Sequence, residues 1–217
     1  MAKSGAPSSA VAEGSERSAP TRRQFVDAAI ETLKSDGYAG ASARSIAQRA
    51  GLNQGLIFYH FGSVANLLLA ALDSVSEERL RLYGAEVSGV TGPVELVDAA
   101  EGFFRNDLSA GYITVLVEMI AGSSATPGLG PAVASRIQPW REFAQSAVER
   151  ALGDSPLGSV LPAKDVAHAV VALYLGLEML SHLDGDAEPA LALFAHAHQL
   201  ASLVEGLIAP TTSEESA

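Results

Sequence analysis

Residues 51–63, GLNQGLIFYHFGS, set two glycines and a polar pair directly before a dense run of rings that ends at Phe61. Small residues beside that many aromatics call for a tight turn feeding a short helix, and the flanking sequence supplies the rest of the pattern. Ser42 is a good N-cap for a short helix carrying Ile46, Ala47 and Ala50 inward, and Gly51 ends it with a residue suited to a left-handed backbone. Asn53 can cap a third helix through about His60. Ser63 can cap a fourth that runs through Leu68, Leu72 and Val75 to about Glu86. Upstream, Thr21 with Gln24 fits a capping box, and Phe25, Ala28, Ala29 and Leu33 recur at the helical period until Gly37 stops the run.

Two short helices joined by a turn at Ala50, Gly51 and Leu52, with a longer helix on each side, form the helix-turn-helix arrangement whose second short helix enters the DNA major groove. Gln54 to His60 is that helix. Gly55 lets backbone and phosphate approach closely, Gln54 can hold an adenine edge through two hydrogen bonds, and Tyr59 and His60 can donate to phosphate oxygens. Ile57 and Phe61, four apart, are expected to pack inward. Tyr59 and His60, side by side, cannot both do so.

The stretch from Thr21 to Leu72, above all GYAGASARSIAQRAGLNQGLIFYHFGSVANLL, resembles the DNA-binding domain of the TetR (tetracycline repressor) family of transcriptional regulators. The matching features are Gly37–Tyr38, the Ser42 cap, IAQRAGL, Gly55, the aromatic run from Phe58 to Phe61, and the Leu67–Leu68 pair. The resemblance covers about a quarter of the chain. It implies DNA contacts by Ala43, Arg44, Asn53, Gln54, Gly55, Phe58, Tyr59 and His60, with Arg44 on guanine or phosphate and Gln54 as the main base reader. One position departs: the family commonly has lysine where this chain has Val64. Fewer ionic contacts and a shallower salt dependence follow, unless Arg17, Arg22 and Arg23 in the lead-in compensate, and Arg22 is counted among the DNA contacts.

The charge distribution fits such a head on a different kind of body. The 217-residue chain has a net charge of −11, but residues 1–66 hold seven Lys/Arg against five Asp/Glu, whereas residues 67–217 hold seven against twenty. There are no cysteines, which excludes disulfides, thiolate metal sites and cysteine nucleophiles. Residues 1–19 are Ser-, Ala-, Gly- and Glu-rich, contain no apolar run of signal-peptide length, and are expected to be a disordered tail, as are residues 210–217. The most apolar stretch, Val166 to Leu183, is interrupted by His168, Glu178 and His182, so no membrane segment is expected. The chain is expected in the cytoplasm.

The body, residues 67–209, also reads as helical. Gly/Pro/Ser clusters divide it into about five helices, giving an all-α chain of about nine helices: a helix-turn-helix domain over residues 20–66, then a helical ligand-binding and dimerisation domain. In the last two helices apolar residues fall at 166, 170, 173, 177 and 180, and at 190, 194, 197, 201, 204 and 208. That alternating spacing makes a seam of the kind that mates with another helix. The final helix has a second seam at Leu193, Leu200, Leu203 and Leu207, so it must be covered on both sides. Val170, Leu173, Leu177, Phe194, Ala197, Ala201 and Val204 are assigned to a homodimer interface, which the resemblance also implies. A dimer matters because one seven-residue helix reads too few bases, whereas two present themselves to half-sites about 34 Å apart on a near-palindromic operator.

Aromatic and methionine side chains with a few polar groups line small-molecule pockets, and they equally fill helical cores. The resemblance implies a cavity here. Phe103, Phe104, Tyr112, Met119, Trp140 and Phe143, with Tyr174, Glu178, Met179 and His182, are the candidate ligand contacts, with Asn106 and Glu118 as further polar anchors. Glu178 and His182 share a helical face and are expected to satisfy each other. His196 and His198 point to different faces, so no metal site is assigned, and no cofactor is expected. Phosphate loops, GxSxG and HExxH are absent from the sequence, so the chain is not expected to be an enzyme. The reading is a DNA-binding repressor, homodimeric, released from its operator by a small apolar or amphipathic ligand. The alternative is a helical ligand-binding or scaffold protein whose helix-turn-helix does not read DNA.

Overall fold

A computed structural model describes residues 9–152, 158 and 160–208. Among these residues the regular structure is helical throughout: α1 (Ser9–Gly40), α2 (Ala43–Ala50), α3 (Gly55–Phe61), α4 (Val64–Val87), α5 (Pro93–Ala110), α6 (Tyr112–Ser123), α7 (Leu129–Arg136), α8 (Gln138–Leu152), α9 (Ala163–Asp184) and α10 (Glu188–Ile208). The expected tails at 1–8 and 210–217 lie outside the described residues. The remainder of the N-terminal tail does not stay irregular, because α1 starts at Ser9 rather than at the Thr21 capping box. Ala10, Ala12, Glu13, Glu16 and Arg17 are strong helix formers, and Pro20 removes one backbone donor without stopping the helix. Gly37 does interrupt it, with φ of 69°.

The chain divides into two compact units. The first runs to Val75 and adds Glu118–Gly130; the second comprises Ser76–Val117 and the residues from Pro131 onward. The division passes within α4 and α6, so it falls nine residues beyond Asn66 and returns part of the expected body to the head.

In the first unit, α1 packs on α2 and α3. Phe25, Ala28, Ala29 and Leu33 meet Ile46, Ala47, Ile57 and Phe61, all buried, together with Leu67, Leu68 and Leu72 of α4. Phe25 and Phe61 stand edge to face at 6.4 Å. Ser42 caps α2 through a reciprocal pair with Ser45, whose backbone N–H donates to the Ser42 hydroxyl at 3.1 Å. Ser42→Ala is expected to lower head stability by about 1 kcal/mol, read as a shift of the unfolding midpoint in urea. Tyr38 ties in α6: its N–H donates to Glu118 Oε2 at 2.7 Å, and its hydroxyl meets Thr126 Oγ1 at 2.8 Å. A Cβ on Gly122 would sit 2.4 Å from that ring, so glycine is required there. Glu118, expected as a ligand anchor, therefore serves the head.

In the second unit, α5 packs on α10 and α8, and α9 packs on α8, α10 and α5. Pro93 opens α5 in its first turn and Gly111 closes it in the left-handed region. By length and composition α9 is the one helix among the described residues apolar enough to cross a membrane, yet Glu178 within it is ion-paired to Arg79 of α4.

Candidate functional site

The turn into α3 is built from the quoted stretch. Gly51 takes the left-handed conformation with φ of 67° and returns its N–H to the α2 carbonyls. Asn53 Oδ1 accepts from the Gly55 N–H at 2.8 Å, fixing the start of α3, and the Asn66 N–H donates to Ser63 Oγ at 3.1 Å at the start of α4. Val64 sits half-buried at that start. Along α3, Ile57 and Phe61 go inward, while Tyr59 is 81% and Phe58 53% exposed. Two aromatic rings left in water on so short a helix are unusual unless a partner covers them. Gln54, Gly55, Asn53 and Arg44 are also exposed, and Ala43 is half-buried.

Two of the expected contacts have structural duties as well. Arg22 does not trail in a flexible lead-in: its guanidinium lies 4.4 Å from the Phe61 ring centroid and donates to the His60 carbonyl, which holds α3 against α1. His60 is half-buried, its ring 4.9 Å from Tyr59 and edge-on to it. Arg49, not singled out from sequence, is held by Ser35 at 2.8 Å and Asp36 at 3.1 Å.

The second unit has a different centre from the one expected. Asp107 of α5 is fully buried and takes hydrogen bonds from the Arg79 guanidinium and Tyr83 hydroxyl of α4, and from the Tyr174 hydroxyl of α9 at 2.8 Å. Asn106 donates to the Tyr83 oxygen at 2.8 Å. Arg79 lies 4.5 Å from the Trp140 ring, 5.5 Å from Tyr112 and 5.9 Å from Tyr83. Tyr83 stacks on Phe103 at 3.9 Å, and Phe143 packs beside Trp140 at 6.1 Å.

Electrostatics follow burial. Loss of water would lower the Arg79 pKa, but the Asp107 and Glu178 carboxylates outweigh that and raise it. Burial and the neighbouring carboxylates push the Tyr83 and Tyr174 hydroxyls well above the ordinary phenol range. Burial, opposed by Arg79 and reinforced by Asp107, pushes Glu178 up to about 8.

Of the ten candidate ligand contacts, the structure gathers Phe103, Tyr112, Trp140, Phe143, Tyr174 and Glu178 around this cluster. Phe104 turns instead into a separate core with Ala190 and Phe194. Met119 is buried in the first unit. Met179 and His182 are exposed on α9, so the expected Glu178–His182 pair does not form: Glu178 points inward to Arg79, and one helical turn does not bring the two side chains to the same surroundings. Arg79, Tyr83 and Asp107 were missed. EERLRLY reads as a solvated charged face, and the available signal was spacing alone: Tyr83 is four residues from Arg79, and Asp107 four from Phe103.

The expected dimer seam is split. Val170 and Leu173 are exposed, but Phe194 and Ala201 are buried within the unit, and Leu177, Ala197 and Val204 are half-buried. The exposed apolar row on α10 is the second seam, Leu193, Leu200 and Leu203, beside Leu173, Leu180 and Leu183 of α9. The Leu207 side chain lies outside the described ones. Both α10 rows have similar spacing, so only the packing of α5 against Ala190 and Phe194 fixes which one turns inward.

Residues 25–71 match the bacterial regulatory proteins of the tetR family. The chain is 36% identical over 89 residues to an HTH-type transcriptional repressor of Mycobacterium tuberculosis, covering 39% of this chain and 45% of that protein. It is 27% identical over 108 residues to another HTH-type regulator of that species, covering 50% and 55%. The chain thus spans about half the length of these curated relatives. Among solved structures, a TetR-family regulator from Cytophaga hutchinsonii superposes with a TM-score of 0.71 at 16% identity over 86% of this chain and 95% of that one. Salmonella enterica GusR superposes with 0.67 at 21% identity over 87% and 95%. The helical fold extends that likeness beyond the matched head, and within residues 25–71, where the tetR-family regulators match, α2 is capped, Gly51 is left-handed and α3 faces outward.

Proposed function

We propose that this chain is a transcriptional repressor that binds a near-palindromic operator as a homodimer and is released by a small ligand taken up in the second unit. The observation that carries the reading is the outer face of α3, where Gln54, Gly55, Phe58 and Tyr59 stand exposed on a helix locked from behind by Ile57 and Phe61. Arg44, Asn53 and Ala43 flank that face, while Arg22 and His60 reach the DNA backbone from its edge. Gln54→Ala is expected to relax base preference at one position per half-site, at a cost of about 1–3 kcal/mol in operator affinity, with dimerisation intact. Equal preference across operator variants in both proteins overturns that role.

The exposed rows on α9 and α10 support a dimer formed by two helices from each copy. Leu200→Glu is expected to give a monomer in sedimentation at concentrations where the parent chain is a dimer, and to abolish tight operator binding. Ligand binding that favours a spacing of the heads unsuited to successive major grooves would release the operator, and a full reversal needs about 5.5 kcal/mol of differential affinity. Selection of bound sequences from a random duplex pool, at fixed salt, is the direct test. A palindrome with half-sites one turn apart supports the reading, and recovery of nothing above background favours a helical ligand-binding protein that does not read DNA. On this reading the chain works in the cytoplasm.

A further inference from the structure

On the outer face of α3, Gln54 and Tyr59 can give or accept hydrogen bonds and Phe58 cannot. The Phe58 ring is 53% exposed, and unlike Phe25 and Phe61, which pack edge to face, it meets no other ring among the described residues. Its position is nonetheless fixed. The preceding residue, Ile57, is fully buried, the Phe58 carbonyl accepts from the Gly62 N–H at 3.0 Å where α3 ends, and Arg22 holds the His60 carbonyl two residues on. An apolar ring kept in water adds little to the fold, so its gain comes when a partner covers it.

The chemistry of that partner is narrow. Phosphate oxygens and most base-edge atoms of the major groove are donors or acceptors, to which a benzyl side chain offers nothing. The apolar group that the groove presents is the C5-methyl of thymine. We propose that Phe58 is a specificity-determining residue that selects thymine by packing its ring on that methyl group. The inference rests on the reading that α3 enters the major groove of an operator, and it names a base that this face recognises.

Helix geometry sets the register. Gln54 and Phe58 are four residues apart, which places them about 6 Å apart along the axis. Base pairs rise by about 3.4 Å, so the thymine lies within two base pairs of the one that Gln54 reads. Tyr59, turned about 100° further round the helix and 81% exposed, carries a hydroxyl and suits a phosphate instead. Two adjacent rings thus have different tasks: Phe58 discriminates between sequences, and Tyr59 adds affinity to all of them.

The test is titration of the full chain against the operator recovered from the random pool, with each thymine replaced in turn by deoxyuridine, symmetrically in both half-sites. That replacement removes the methyl and leaves the pairing edge unchanged. Expected is one position per half-site, within two base pairs of that at which Gln54→Ala relaxes preference, where binding weakens about fourfold per half-site, the factor for returning one buried methyl group to water. Phe58→Ala removes an exposed side chain and leaves the core intact. It is expected to bind the thymine and deoxyuridine operators equally within about twofold, both proteins being titrated at one salt concentration low enough for the variant to bind. Its salt dependence is expected to match the parent's, because no phosphate contact is lost. An operator in which no thymine methyl matters, a methyl preference that survives in Phe58→Ala, or a loss spread evenly over all sequences, as packing on a sugar would give, overturns the assignment and leaves the repressor reading in place. Recovery of no operator overturns both.

Discussion

Asp107→Ala is expected to destabilise the second unit by about 3–5 kcal/mol, because it strips the Arg79 guanidinium, with a side-chain exposure of 9%, of its principal partner in a region with little water. The Tyr83 and Tyr174 hydroxyls lose their acceptor in the same step. Denaturant unfolding followed by Trp140 fluorescence reads this unit directly, since Trp140 packs on Arg79 and is the chain's one tryptophan. Replacing the pair together, as Arg79→Met with Asp107→Leu, is expected to recover most of the loss, since a buried ion pair exchanged for apolar side chains of similar volume is close to neutral. A loss under about 1 kcal/mol for Asp107→Ala would mean that the cluster opens to water and that the buried pair described here is not maintained in solution.

Stability of the same unit is expected to fall as pH rises from about 5 to 8, and Glu178 supplies the reason. Its native pKa of about 8 lies above the unfolded value of 4.5, so between these limits the folded chain holds a proton that the unfolded chain has given up. The folded state is favoured below 4.5, and the advantage is lost through the window up to about 8, with a slope on the order of 1 kcal/mol per pH unit. Glu178→Gln has no proton to lose. Its unfolding free energy, measured against that of the parent chain, is expected to show a relative gain that grows between pH 5 and 8 and then levels off. Parallel pH profiles for the two proteins would place Glu178 in contact with water.

The head was legible in the sequence because its structure is local. The Ser42 cap, the left-handed Gly51, the Asn53 turn and the Ile57/Phe61 spacing each act within a few residues, so neighbouring side chains were enough to read them. The exposure of Tyr59 fits its place beside His60 on so short a helix, while that of Phe58 was implied only by the family resemblance. Even there, the reach of Arg22 across 38 positions to the His60 carbonyl, and of Tyr38 across 80 to Glu118, was out of sight of any local pattern.

By itself the sequence determined an all-helical chain, the position of the turn before α3 and which side of α3 turns inward, since helix periodicity and capping depend on near neighbours. Only the tertiary structure decided that Arg79, Asp107 and Glu178 meet in the interior, and that α10 turns Phe194 inward while leaving Leu200 exposed. Charged residues on helices default to solvent, and two apolar rows of similar spacing are equivalent until another helix covers one of them. Those choices are made by side chains 28 to 99 positions apart, where burial and pairing are decided together.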